Sequence, residues 1–99
     1  MFTKAYVLSA TEFRELCLGF FELCAEHFAS EVENKELTED MVKEDLVGMF
    51  EDFLDSEEVD LIVAYMPKEK QLVEIDNGEK FVRYVEDEYG DLVDVIMEF

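Results

Sequence analysis

Two side chains in this sequence have the types and the spacing of a chemical site. Cys24 and His27 fall one helical turn apart, with Glu31 a further turn on. A thiol, an imidazole and a carboxylate along one helix edge could ligate a metal, or pair a nucleophile with its base. Nothing elsewhere completes either site. A zinc centre wants four ligands, commonly from two Cys/His pairs, and the sequence offers one histidine and one further cysteine, Cys17. Cys17 precedes Cys24 by two turns, about 10 Å along the axis, too far for a disulfide within one helix. No glycine-rich turn accompanies Cys24 to bind an oxyanion. His27 therefore reads as a partly exposed side chain at the rim of an apolar face, and the cysteines as reduced core thiols.

Carboxylates are the abundant chemical group: 27 Asp and Glu stand against 8 Lys and Arg, a formal charge of −19. At that density acid pairs arise by chance, and a catalytic carboxyl needs a pocket that raises its pKa. Calcium fails a stricter test. An EF-hand loop alternates Asp or Asn ligands, turns on a glycine and closes on a Glu. The segments DNGEKFVRYVED and EDEYGDLVDVIME lack those positions. No GxxxxGK[ST] and no GxGxxG is present to cradle a phosphate. The expectation is a protein without catalytic residues, metal or cofactor.

The charge also bounds the partners. Affinity for nucleic acid comes mainly from Lys and Arg neutralising phosphates, so direct nucleic-acid binding is disfavoured. Anionic membrane surfaces are disfavoured for the same reason. MFTKAYVLSATE lacks the apolar core of a secretory signal and no apolar run approaches a membrane span, so the cytoplasm is the expected compartment. Hydrophobic residues make up 49% of the chain, nine of them Phe. Disordered chains are poor in such residues, so a single folded domain over residues 1–99 is expected.

A small set of elements must position these groups. Residues 4–8 suit a short strand. Ser9 and Glu12 have the spacing of a capping box, and Phe13, Leu16, Cys17, Phe20, Cys24 and Phe28 then recur at three- and four-residue steps. Leu18, Phe21 and Ala25 widen that face into a helix buried on two sides. Thr38 caps a second helix, with Leu37 stapled to Val42, and Val42, Leu46, Met49, Phe50 and Phe53 turned inward. Residues 59–66 form a dense β-type run stopped by Pro67, and PKEK turns the chain into a strand at 71–75. Asn77-Gly78 between apolar runs is the strongest short hairpin signal and predicts a third strand at 80–85. Asp76 and Glu79 also fit a capping box, which would make 78–89 a helix ended by Gly90. Residues 92–98, with Val93, Val95, Met97 and Phe99 on one side, suit a closing strand. The expected fold is α+β, two helices packed on an antiparallel sheet; the helical reading of 78–89 leads towards a βαββαβ ferredoxin-like sandwich.

Charge concentrates where the second helix should end. Residues 44–60, EDLVGMFEDFLDSEEVD, hold eight acids and no base. Asp40 with Glu44, and Glu51 with Asp55, are like-charge i,i+4 pairs that work against the helix. Glu51, Asp52 and Asp55 occupy its last turns, where the helix dipole prefers cations. Local rules broken together in one sense point to a functional surface. The first candidate binding set is Glu44, Asp45, Glu51, Asp52, Asp55, Glu57, Glu58 and Asp60. The second is Glu86, Asp87, Glu88 and Asp91, with no base after Arg83. The expected partner is a basic nucleic-acid-binding protein (nuclease, nucleoid protein, polymerase or repair enzyme) in whose groove carboxylates replace phosphates. The chain itself would be a monomer or homodimer.

Phosphates on one duplex strand repeat about every 3.4 Å. A helix offers one residue per turn on a stripe, about every 5.4 Å, so two acid rows are needed to approach that density. In size and composition the chain resembles the small acidic inhibitors that phages make against restriction enzymes, CRISPR nucleases, nucleoid proteins or uracil-DNA glycosylase. That resemblance is one of class, and no residue role comes with it. Other accounts of the charge stay open. It could serve solubility, although a net charge of magnitude about 2–8 suffices for that. It could reflect a high-salt organism, or an acidic interaction domain without mimicry. It could also belong to a toxin-immunity-type inhibitor of a basic nuclease, with aromatic anchors such as Tyr65, Tyr84 or Tyr89.

Overall fold

The computed structural model describes residues 3–29 and 37–99. Glu31, the third group of the Cys24–His27 edge, and the base Lys35 lie outside the described residues. The order is β1 (Ala5–Leu8), α1 (Ala10–Phe28), α2 (Glu39–Ser56), β2 (Leu61–Met66), β3 (Gln71–Ile75), α3 (Gly78–Tyr89) and α4 (Leu92–Met97). Among the described residues four helices pack on a three-stranded mixed sheet of order β1-β2-β3, so the fold is α+β. The antiparallel expectation holds for β2 and β3, with Met66 opposite Gln71 and Ile62 opposite Ile75. β1 differs: it runs parallel to β2, Ala5 opposite Leu61 and Leu8 opposite Ala64. The chain reaches β2 only after crossing over through α1 and α2, the kind of long connection that parallel neighbours require.

Local chemistry sets the helix starts. Ser9 closes a full capping box with Glu12, the Ser9 hydroxyl accepting from Glu12 N and the Glu12 carboxylate from Ser9 N, each at 3.1 Å. Thr38 accepts from Met41 N at 3.3 Å and starts α2. The strand expected at 80–85 is helix, within α3. Asn77 is its N-cap, the side-chain oxygen accepting from Lys80 N at 2.9 Å, one residue later than the Asp76 cap spacing suggests. Gly78 serves packing rather than a hairpin turn. A Cβ there would lie 2.6 Å from Val47 Cγ1 and 2.7 Å from the Val47 carbonyl oxygen, so α3 begins with its backbone against α2. Asp76 meanwhile pairs with Lys80 at 3.0 Å, and that hydrogen bond holds its carboxyl below the ordinary range.

The closing strand expected at 92–98 is the short helix α4. Gly90, at φ 80°, breaks the chain away from α3. Asp91 Oδ1 then accepts from Val93 N at 3.0 Å and caps the new helix. Leu92 and Ile96, four residues apart, are its buried pair; the alternation of Val93, Val95 and Met97 was outweighed by that helical spacing.

Among the described residues α1 and α3 pack on one face of the sheet, and α2 and α4 pack on those helices. Ile62, Ala64, Met66, Val73 and Ile75 point into the core, where they join Phe13, Phe20, Phe21, Phe50 and Phe81. Phe81 stacks on Phe50 with centroids 4.5 Å apart and crosses Phe20 edge-on at 5.6 Å. This cluster ties α1, α2 and α3 together and makes α2 a rigid support. Its energy comes from buried aromatic area and favourable ring geometry, which leaves the outer face of α2 free of any packing duty.

Candidate functional site

Helical geometry separates the acids of α2 into three rows. Val42, Leu46, Phe50 and Leu54 are buried, so the row opposite them is Glu44, Gly48, Glu51 and Asp55, with Asp52 beside it; all five are exposed. From Glu44 to Asp55 this stripe runs about 16 Å. None of Glu44, Glu51, Asp52 and Asp55 has an ion pair or side-chain hydrogen bond among the described residues. On one flank, Lys43 bridges Glu39 of α2 at 3.6 Å and Glu86 of α3 at 3.0 Å. The hydrogen bond to Glu86 holds the Lys43 ammonium above its usual pKa. On the other flank, Asp45 turns towards α1, its Oδ2 lying 3.2 Å from His27 Nδ1.

The end of α2 departs from ordinary helix chemistry. Val59 N donates to the Leu54 carbonyl at 3.1 Å and Glu58 N to the Asp55 carbonyl at 3.2 Å. This is a Schellman closure, in which the residue at Glu58's position takes a left-handed conformation and is usually glycine. Glu58 sits there with φ 56°. The chain thus accepts both backbone strain and a negative charge at the negative end of the helix dipole. Glu51, Asp55 and Asp60 line a shallow depression of about 450 Å³ with Leu54 and Val59. Glu57 accepts from the Tyr6 hydroxyl at 2.9 Å, which raises that phenol's pKa, and Asp60 Oδ2 accepts from Lys4 N at 3.0 Å.

The second set is engaged differently. Glu86 is paired with Lys43. Lys68 Nζ donates to the backbone carbonyls of Asp87 and Glu88 at 2.8 and 3.1 Å, a cation on the C-terminal end of α3. Asp91 is spent as the α4 cap. Of the twelve predicted site residues, Glu44, Glu51, Asp52, Asp55, Glu58 and Asp87 are exposed and Glu88 half-buried, none with a side-chain partner among the described residues. Asp45, Glu57, Asp60, Glu86 and Asp91 each have a partner within the fold. Sequence reasoning did not foresee Tyr6 and Lys4 among those partners, nor Lys68 on the backbone carbonyls of Asp87 and Glu88. The Tyr6–Glu57 and Lys4–Asp60 bonds join residues 51 and 56 positions apart, a separation with no local signature.

The Cys24–His27 edge is a packing feature with a polar rim. Cys24 is fully buried, and burial followed by the neighbouring Asp45 carboxylate pushes its thiol up to about 12. Such a thiol carries no thiolate at neutral pH. Burial likewise raises Cys17. Among the described residues no three His, Cys, Asp or Glu side chains converge to hold a metal ion, and no helix is long and apolar enough to cross a membrane. Of the tyrosines considered as anchors, Tyr84 and Tyr89 pack against the core and Tyr65 lies on the sheet. No protein-family model, curated protein or solved structure matches this chain.

Proposed function

We propose that this protein is a non-enzymatic inhibitor that presents the outer face of α2 to the basic site of a nucleic-acid-binding protein. The observation that supports the reading is the unpaired stripe Glu44, Glu51, Asp52 and Asp55, continued by Glu58 and mounted on a helix held by an aromatic core. Unpaired carboxylates on a rigid element can displace phosphates from a basic groove and release the same counterions. Asp60, Glu57 and the α3 acids widen the row. Their internal bonds leave carboxylate oxygens able to accept further donors. A nuclease, nucleoid protein, polymerase or repair enzyme of the cytoplasm has the required groove, and a phage or mobile element is the source such an inhibitor implies.

Affinity capture with the full chain from source extract, at low and moderate salt, tests the reading. A nucleic-acid-binding protein should be retained, released by added duplex DNA, and lost progressively as salt rises. Replacing Glu51, Asp52 and Asp55 by their amides should weaken capture while the fold persists. Recovery of no such partner, or a complex indifferent to salt and DNA, would remove the proposal.

A further inference from the structure

The helices leave the second face of the sheet uncovered. Strand alternation places Ala5 and Val7 of β1, Leu61, Val63 and Tyr65 of β2, and Leu72 and Glu74 of β3 on that outer face. Val7 is 71% exposed, Leu72 61% and Tyr65 38%. On a chain of charge −19 this face holds a single carboxylate, Glu74. The charge is strongly partitioned. Residues 3–8 and 60–76 carry Lys4, Lys68 and Lys70 against Asp60, Glu69, Glu74 and Asp76, so all but one unit of the net charge lies elsewhere, chiefly on the helices.

We infer that the chain self-associates through this face into a back-to-back homodimer. A contiguous apolar face on an otherwise highly charged small protein marks an interaction surface. A basic partner has little to hold there, because the carboxylates that would attract it lie on the helical side. A second copy offers the same near-neutral, apolar surface, as an isologous two-fold contact requires. Two sheets packed face to face lie about 10 Å apart. The acidic helical layers then fall on opposite outsides, separated by more than the roughly 8 Å Debye length at physiological salt. The footprint, three strands about 4.8 Å apart and five residues long, is roughly 250 Å² in projection. That is well under the ~800 Å² per partner of a standard stable interface, so the dimer is a weak, concentration-dependent one. The inference does not depend on what α2 binds, and it leaves α2 of both copies facing outward.

Sedimentation equilibrium of the full chain, from low micromolar to near-millimolar concentration, is the test. The mass should rise from 11.6 kDa towards twice that value, and added salt should strengthen association by screening residual repulsion. Val7→Lys with Leu72→Lys changes two exposed positions, counted twice in a symmetric dimer, and should weaken association at least about 100-fold. Leu72→Lys alone, on an edge strand, serves if the pair perturbs folding, and should weaken it about 10-fold. A chain that stays at 11.6 kDa throughout, an association unaffected by these variants, or one that salt dissolves would overturn the inference.

Discussion

Glu58→Gly should make this protein more stable. Glu58 holds φ 56° at the end of α2, where a Cβ costs about 1–2 kcal/mol in left-handed backbone. Its carboxylate stands at the negative end of the helix dipole, worth about 0.3–1 kcal/mol when removed. Glycine's greater freedom in the unfolded chain works against the gain by about 0.5–1 kcal/mol. The balance is a stabilisation of about 1.3 kcal/mol, because the Val59–Leu54 and Glu58–Asp55 backbone bonds stay as they are. Glu58→Gln isolates the charge, since it keeps the strained backbone, and should gain only about 0.6 kcal/mol. Urea unfolding followed by circular dichroism reads both. With an m-value near 1 kcal/mol/M, the midpoints should move up by about 1.3 M and about 0.6 M. High salt should shrink the Gln gain and leave the Gly–Gln difference in place. A Gly variant no more stable than the Gln variant would refute the strain account of this helix end.

Two glycines should respond with opposite sign. Gly78→Ala drives a Cβ into the Val47 backbone and should cost about 2–3 kcal/mol by urea unfolding. Gly48→Ala, which meets no heavy atom within 4 Å, should gain about 0.5–1 kcal/mol. Alkaline pH should unfold the protein. Cys17, Cys24 and Tyr89 are all raised by burial, Cys24 and Tyr89 to about 12. A raised pKa gives stability that is whole below the unfolded value and lost as pH climbs through the folded one. The loss should therefore begin near pH 9, where unfolded thiols ionise, at about 1 kcal/mol per thiol over the first pH unit above it, steepening towards about 1.4 kcal/mol per unit beyond. Cys17→Ala/Cys24→Ala should flatten that slope, whatever it does to stability at neutral pH. At neutral pH and low ionic strength, added sodium chloride should raise the melting temperature, because it screens the self-repulsion of a chain of charge −19.

Where side chains interact within a turn or two, sequence spacing and structure agree. The Ser9–Glu12 box, the Thr38 cap, the apolar faces of α1 and α2 and the β2–β3 hairpin all follow from neighbours close in the chain. The outward stripe Glu44, Glu51 and Asp55 follows too, because burying Val42, Leu46 and Phe50 leaves a helix only one other side. Spacing misled where one pattern serves two structures. Asn77-Gly78 suits a tight hairpin, but it also suits a cap followed by a residue without a Cβ. Only the approach of α3 to Val47 selects the second use. The alternation after Leu92 gave way to a helix for a similar reason, since Leu92 and Ile96 both reach the core. Whether each acid is free or spent depends on groups far away in sequence. Glu57 meets Tyr6, Asp60 meets Lys4, and Glu86 meets Lys43 only after folding. Composition alone decides that this surface is acidic. Tertiary contact decides which carboxylates stay unpaired, and which side of the sheet is left apolar and almost without charge, because both depend on what the fold brings within bonding distance.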